Sequence, residues 1–172
     1  MTHITLGEPL AALNLLDRQA ARREFLACCA ARRWATEMAD GRPYATLEEL
    51  LNASDSLVAT LTGDEIAEAL ATHPRIGERS AGADREAAWS RREQSGAADA
   101  DAAVAEALAA GNSAYEQRFG RVFLICASGL SGEQLLAALR TRLDNDPRTE
   151  RAVVRKELRK IIRLRIQKLV RS

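Results

Sequence analysis

The sequence predicts an all-α fold, one domain of about eight helices over residues 1–172. Three observations point there. Alanine makes up roughly a fifth of the chain, and it has the highest helix propensity of any residue. Aromatic residues, which favour strands, are only 4%. Apolar residues recur at three- and four-residue spacing between clear stop signals, the period of an amphipathic helix.

Each element has a local reason. Glu8 to Leu16 is a short helix with Pro9 in its first turn, where a missing N–H costs nothing. Asp17 caps a helix through Phe25, Leu26 and Cys29 that continues past Trp34 and Met38 and stops at Gly41, ahead of Pro43. Thr46 to Glu49 has capping-box spacing, with Leu47, Leu50 and Leu51 as the buried stripe behind it. Asp64 opens a helix whose inward face is Ile66, Ala69 and Leu70. That helix ends near Thr72, because a residue before proline, here His73, is pushed out of the α region. His73 to Glu78 is therefore an ordered turn. Asp84 to Ala97 and Ala98 to Arg118 read as helices, the second with a kink expected at Gly111. Val122 to Cys126 is too short for periodicity to separate an extended segment from a buried helix start. Ser131 to Asn145 and Arg148 to Val170 complete the set.

Composition excludes several classes. With 172 residues, 47% hydrophobic and 28% charged, the chain buries a sizeable core and is neither a disordered tail, a fibre nor a disulfide-stapled mini-protein. Lys+Arg 25 against Asp+Glu 24 leaves a formal charge of +1, so the molecule as a whole does not attract nucleic acid. Cys28, Cys29 and Cys126 are odd in number and have no C-x-x-C spacing, which argues against a disulfide framework or a zinc site. They read as small core residues in a reducing compartment. No apolar run approaches the length of a membrane span. The first residues lack a signal-peptide pattern, and Leu169-Val170-Arg171-Ser172 is not a peroxisomal address. A cytoplasmic location without a membrane partner is expected.

Three polar features stand in unusual places. His73 sits on a turn braced by Pro74, and histidine titrates near operating pH, which suits proton transfer; the plainer reading is a capping or core histidine. Only His3 accompanies it, too few ligands for a metal. Next, Ser90, Glu93 and Gln94 lie within roughly 60° of one another on a helix, flanked by the small Ala87 and Ala97, while Arg85, Arg91 and Arg92 point away. This is either a ligand-sized polar face or a solvated one. Finally, Val154, Leu158, Ile161, Ile162 and Leu169 form an apolar stripe with Arg165 in its middle and Arg163 roughly opposite. A guanidinium rarely enters such a stripe without a partner. Arg165 therefore faces a carboxylate, either Glu93 or one on a ligand, unless it snorkels or forms an internal ion pair.

Taken together, His73-Pro74-Arg75-Ile76-Gly77, Ser90-x-x-Glu93-Gln94, Asn112-x-x-Tyr115-x-x-Arg118-Phe119-Gly120 with Phe123 to Ala127, and Lys160-Ile161-x-x-Leu164-Arg165 resemble one family. It is the 2-oxo-4-hydroxy-4-carboxy-5-ureidoimidazoline (OHCU) decarboxylases of urate degradation. The resemblance runs from the Trp34 and Arg42-Pro43-Tyr44 region to the last helix. It implies an all-helical, cofactor-free carboxy-lyase, commonly a homodimer, that converts this small-molecule substrate to (S)-allantoin. By resemblance, His73 is the proton donor, with Glu93 and Arg165 beside it in catalysis and Arg163 as the competing alignment. Pro74, Ser90, Arg91, Arg92, Glu93 and Gln94 resemble substrate contacts. Phe123, Leu124, Ile125, Cys126 and Ala127 resemble the segment whose backbone meets the ring, and the amides around Ile125 and Cys126 suit an oxyanion. No metal is implied.

Two readings compete with the enzyme. Ten cationic residues against Glu150 and Glu157 make the last helix basic, so a helical module binding nucleic acid or an acidic partner is the alternative. It lacks aromatic stacking residues and a helix-turn-helix signature. A purely structural bundle would leave Ser90, Glu93 and Gln94 facing solvent.

Overall fold

The computed structural model describes residues 7–78 and 84–171. These residues form ten helices and no strand: α1 (Glu8–Leu15), α2 (Arg18–Cys28), α3 (Arg32–Asp40), α4 (Leu47–Thr60), α5 (Gly63–Leu70), α6 (Arg85–Glu93), α7 (Ser95–Ala98), α8 (Ala102–Phe119), α9 (Gly132–Leu143) and α10 (Pro147–Leu169). The all-α expectation holds, with two more helices than the eight expected. His3 and Ser172 lie outside the described residues.

Both extra helices arise from breaks inside segments expected to be single helices. Cys29 is extended (φ −155°, ψ 123°), which ends α2 in the middle of what reads as one long helix from Asp17 to Gly41. The first donor of α3, the Arg32 N–H, goes to Glu68 Oε1 at 2.7 Å, thirty-six residues away. Arg33 likewise binds Glu65 at 2.6 Å and Glu37 at 3.0 Å. A helix start capped from so far along the chain carries no local signal. The second break is at Gln94 (φ −99°, ψ 17°), between α6 and α7.

Other helix ends follow local chemistry. Asp17, Thr46, Asp84 and Asp101 accept from the third residue onward, and Ser131 with Gln134 makes a full capping box. The cap of α5 is Thr62 rather than Asp64: Thr62 and Glu65 exchange hydrogen bonds at 3.2 and 2.8 Å. α8 starts at Ala102 and runs without a break through Gly111. Leu47 is only half-buried, while Leu50 and Leu51 enter the core. Val122 to Cys126 is neither helix nor strand.

The chain divides into two compact units. The first comprises residues up to Ala69 together with Arg159–Ser172. Its core holds Phe25 against Trp34 edge-on at 5.8 Å, with Met38 and Leu50. Trp34 Nε1 donates to the buried Ser54 hydroxyl at 3.3 Å. The second unit, Leu70–Leu158, is built on the packing of α8 against α9. Leu108, Tyr115, Phe123, Leu135 and Leu139 form the centre of its core.

Candidate active site

Most of the expected site residues belong to the second unit. α5 ends at Leu70, and the His73 N–H still reaches the Leu70 carbonyl at 3.0 Å before Pro74 turns the chain out of helix. His73 and Pro74 are half-buried and Ile76 is buried. Gly77 takes φ +93°, which costs a glycine little. The Glu78 N–H closes the turn on the Arg75 carbonyl at 3.0 Å.

This turn is tied to its neighbours at three points. The Gly77 N–H donates to Gln94 Oε1 at 3.0 Å. Asn112 Nδ2 donates to the Ile76 carbonyl at 2.8 Å. Arg75 grips Glu116 with Nε and Nη2 at 2.6 and 2.8 Å, a bidentate pair. A cavity of about 220 Å³ lies behind the turn, bordered by Ile76, Gly77, Ala97, Leu108 and Asn112.

On α6 the expected polar face is buried rather than solvated. Ser90 is 7% exposed and Glu93 8%, and Gln94 just past the helix end is half-buried. Arg91 and Arg92 are exposed, as their wheel positions predict. The hydrogen bond from Gly77 to Gln94 joins this face to the turn that carries His73.

The Phe123–Ala127 segment is held from α9 and α10. Arg142 Nη1 donates to the Leu124 carbonyl at 2.5 Å, and its guanidinium lies 4.5 Å from the Phe123 ring centre. Glu150 secures that guanidinium. The Cys126 N–H donates to Glu157 Oε2 at 3.0 Å. This amide, one of those around Ile125 and Cys126 expected to suit an oxyanion, is therefore engaged by a side chain. Cys28 and Cys29 are buried, and Cys126 is only partly so.

Arg165 belongs to the first unit. It is 5% exposed, within the buried stripe of α10 where the wheel places it. Nearby Cys29 has a thiol that burial pushes up to about 11, with Arg165 among the groups pulling it down. Arg163 is half-buried and paired with Asp55 at 2.6 Å. Among the described residues no group of three or more His, Cys, Asp or Glu could hold a metal ion, and no helix is long and apolar enough to cross a membrane.

Sequence reasoning did not assign Asn112, Glu116, Arg142, Glu150 or Glu157 a role around the site. The buried polar positions among them carry the same signal that marks Arg165. Asn112 follows Leu108, Arg142 follows Leu135 and Leu139, and Glu150 precedes Val154 and Leu158, each at helical spacing on an apolar face.

The family model described as OHCU decarboxylase matches residues 14–167. The chain belongs to the OHCU decarboxylase family. It is 32% identical over 132 residues to the 2-oxo-4-hydroxy-4-carboxy-5-ureidoimidazoline decarboxylase of Amia calva, covering 76% of this chain and 75% of that one. It is 33% identical over 150 residues to the uric acid degradation bifunctional protein TTL of Arabidopsis thaliana. There the match takes 85% of this chain but spans only 46% of the Arabidopsis protein. Among solved structures it resembles an OHCU decarboxylase crystallised in the presence of (S)-allantoin, with 28% identity and a TM-score of 0.76. That match covers 87% of this chain and 98% of the other. The OHCU decarboxylase family thus extends through stretches of both compact units.

Proposed function

We propose that residues 1–172 act as one OHCU decarboxylase domain, which removes CO2 from the ureidoimidazoline carboxylate and yields (S)-allantoin. The observation that carries this reading is the Gly77–Gln94 hydrogen bond. It couples the turn bearing a half-buried histidine to a helix face of buried serine and carboxylate. A turn placed only for packing needs no such polar face beside it.

The chemistry follows from what the substrate needs. The bond between the ring carbon and its carboxylate breaks, and CO2 leaves. The electron pair enters the adjacent ring C=N, whose nitrogen takes a proton from solvent. The 4-hydroxyl gives up its proton, which leaves an enolate spread over the 4-oxygen and the ureido-bearing carbon. His73, protonated, then gives its proton to the ureido-bearing carbon from one face, the 4-oxygen becomes the carbonyl of allantoin, and the histidine regains a proton from solvent. Delivery from a fixed side sets the handedness of the product. A positioned general acid of this kind contributes about 10²–10⁴-fold.

The remaining groups bind and orient. Glu93 accepts a hydrogen bond from the 4-hydroxyl or from the His73 imidazole. Ser90 and Gln94 hold the ureido group, with Pro74 shaping the floor and Arg91 and Arg92 flanking the segment. Arg165 supplies the cation for the anionic substrate. The Phe123–Ala127 backbone stabilises the developing oxyanion through an amide beside Cys126, whose own N–H is taken by Glu157. The reaction is proposed to need no cofactor, in a cytoplasmic homodimer.

The test feeds the purified protein from urate oxidation and hydroxyisourate hydrolysis and records CO2 release and optical rotation. The wild type is expected to give (S)-allantoin, and His73→Ala to lose the chiral signal. Formation of (S)-allantoin by His73→Ala at the wild-type rate would remove the histidine from the mechanism.

A further inference from the structure

α8 reaches the His73 turn with two side chains one helical turn apart. Asn112 holds the Ile76 carbonyl at 2.8 Å, and Glu116 receives both Nε and Nη2 of Arg75. Packing alone does not account for Asn112. It is 4% exposed on the face it shares with Leu108 and Tyr115, and its Oδ1 has no hydrogen-bond partner. A buried acceptor left unpaired is destabilising, so an apolar residue would suit this position better if stability were its sole role.

The cavity supplies the second observation. About 220 Å³ of open space borders Ile76 and Gly77 on the side facing α7 and α8. Ile76 is anchored in the buried cluster with Ala97 and Leu108, whereas Arg75 and Gly77 beside it are exposed and border the open space, so their positions depend on hydrogen bonds. Hydrogen bonds to Gln94, Asn112 and Glu116 tie this part of the turn to its neighbours.

We infer that Asn112 and Glu116 are positioning residues for the reaction: they clamp Arg75 and Ile76 to α8 and so fix the direction of the His73 imidazole. The inference rests on the proposed role of His73. Without the clamp the turn relaxes toward the cavity, and the imidazole moves relative to the carbon it protonates. Misplacement on the order of 1 Å is enough to slow a step that depends on near-attack geometry. Substrate binding, which draws on other groups, is largely retained.

The experiment measures kcat, KM and the optical purity of allantoin for wild type, His73→Ala, Asn112→Leu, Glu116→Ala and Glu116→Gln. Hydrogen exchange at the Gly77 amide is followed in the same proteins. Asn112→Leu and Glu116→Ala are expected to lower kcat on the order of tenfold with little change in KM. Optical purity should fall, because the enolate is then protonated from both faces by solvent, and Gly77 exchange should quicken. Glu116→Gln retains an acceptor for Arg75 and should recover part of the loss. Glu116 is partly exposed, so its variants report on the clamp even where Asn112→Leu folds poorly. Folded Glu116→Ala with wild-type kcat, optical purity and Gly77 exchange overturns the inference while leaving the decarboxylase reading intact. A fully active His73→Ala overturns the role of His73, and this inference with it.

Discussion

Arg142 and Glu150 form a buried ion pair, with Nη2 and Nε at 2.5 and 2.9 Å from Glu150 Oε1. Glu150 is 0% exposed and also accepts from the Tyr115 hydroxyl at 2.5 Å and Asn145 Nδ2 at 3.0 Å. The same guanidinium donates to the Leu124 carbonyl, so this pair supports the segment proposed to face the substrate ring. Removing one charge leaves the other buried without compensation, which costs about 3–5 kcal/mol. Glu150→Gln keeps the volume and removes the charge. Urea unfolding of this variant should show a loss of that size; a loss under about 1 kcal/mol would mean the pair is not what holds Leu124 in place.

Acid sensitivity follows from the same carboxylate. Burial pushes the Glu150 carboxyl up, but hydrogen bonds from Arg142, Tyr115 and Asn145 outweigh it and hold it below the usual carboxylate range. Glu65, hydrogen-bonded by Arg33 and by the Thr62 N–H, is drawn down to about 2. A carboxylate with a depressed folded pKa adds stability that is complete above its unfolded value of about 4.3 and vanishes as pH falls through the folded value. Melting temperatures should therefore be steady down to about pH 5 and drop steeply toward pH 2. Glu150→Gln should flatten that slope. An unchanged slope would shift the acid response to other carboxylates.

Much of this was legible in the sequence because helical periodicity is strong here. The wheel that puts Arg165 in the α10 stripe applies equally to Asn112, Arg142 and Glu150, each polar on an otherwise apolar face. Reading it only on the last helix missed three buried polar residues that the same rule would find. Their partners are another matter. Glu157 on the Cys126 amide and Glu116 on Arg75 join residues 31 and 41 apart, and no local pattern encodes such pairs. The break at Cys29 is likewise tertiary, since Ala31 offers no side-chain cap and Glu68 takes the Arg32 N–H instead. The α5 cap is local and readable: Thr62-x-x-Glu65 is a capping box that starts two residues before Asp64.

Two glycines separate backbone from side-chain crowding. A Cβ on Gly96 would sit 1.8 Å from the Leu130 carbonyl oxygen, so α7 is pressed against a neighbouring main chain that has no room to retreat. On Gly111 the nearest atom is Leu139 Cδ2 at 2.5 Å, the end of a side chain. Gly96→Ala should cost about 3 kcal/mol, the upper end of overpacking penalties. Gly111→Ala should cost about 1 kcal/mol or less, because the gain in helix propensity offsets part of the Leu139 displacement. Thermal melts of the two variants give the comparison, and a Gly96→Ala protein as stable as Gly111→Ala would contradict the close approach at Leu130.

Arg165 and Arg163 stand two positions apart on α10 with opposite expectations. Arg163 pairs with Asp55 at 2.6 Å where both side chains are partly exposed, a setting in which an ion pair contributes about 1 kcal/mol or less. The Asp55 Oδ1 is buried and has no hydrogen-bond partner, which puts the loss on Arg163→Ala at the upper end of that range, in stability rather than turnover. Arg165 is 5% exposed within an apolar stripe, and its proposed duty is to hold an anionic substrate. A hydrogen bond to a charged group is worth about 1.5–3 kcal/mol, so Arg165→Ala should lower kcat/KM by roughly 10- to 100-fold. Arg165→Lys should recover little, because an ammonium cannot reproduce the two parallel donors of a guanidinium. Steady-state kinetics on the three variants decide the matter. If Arg165→Ala unfolds early but its folded fraction turns over normally, the residue is a structural partner inside the first unit, and the substrate carboxylate must be met by another cation.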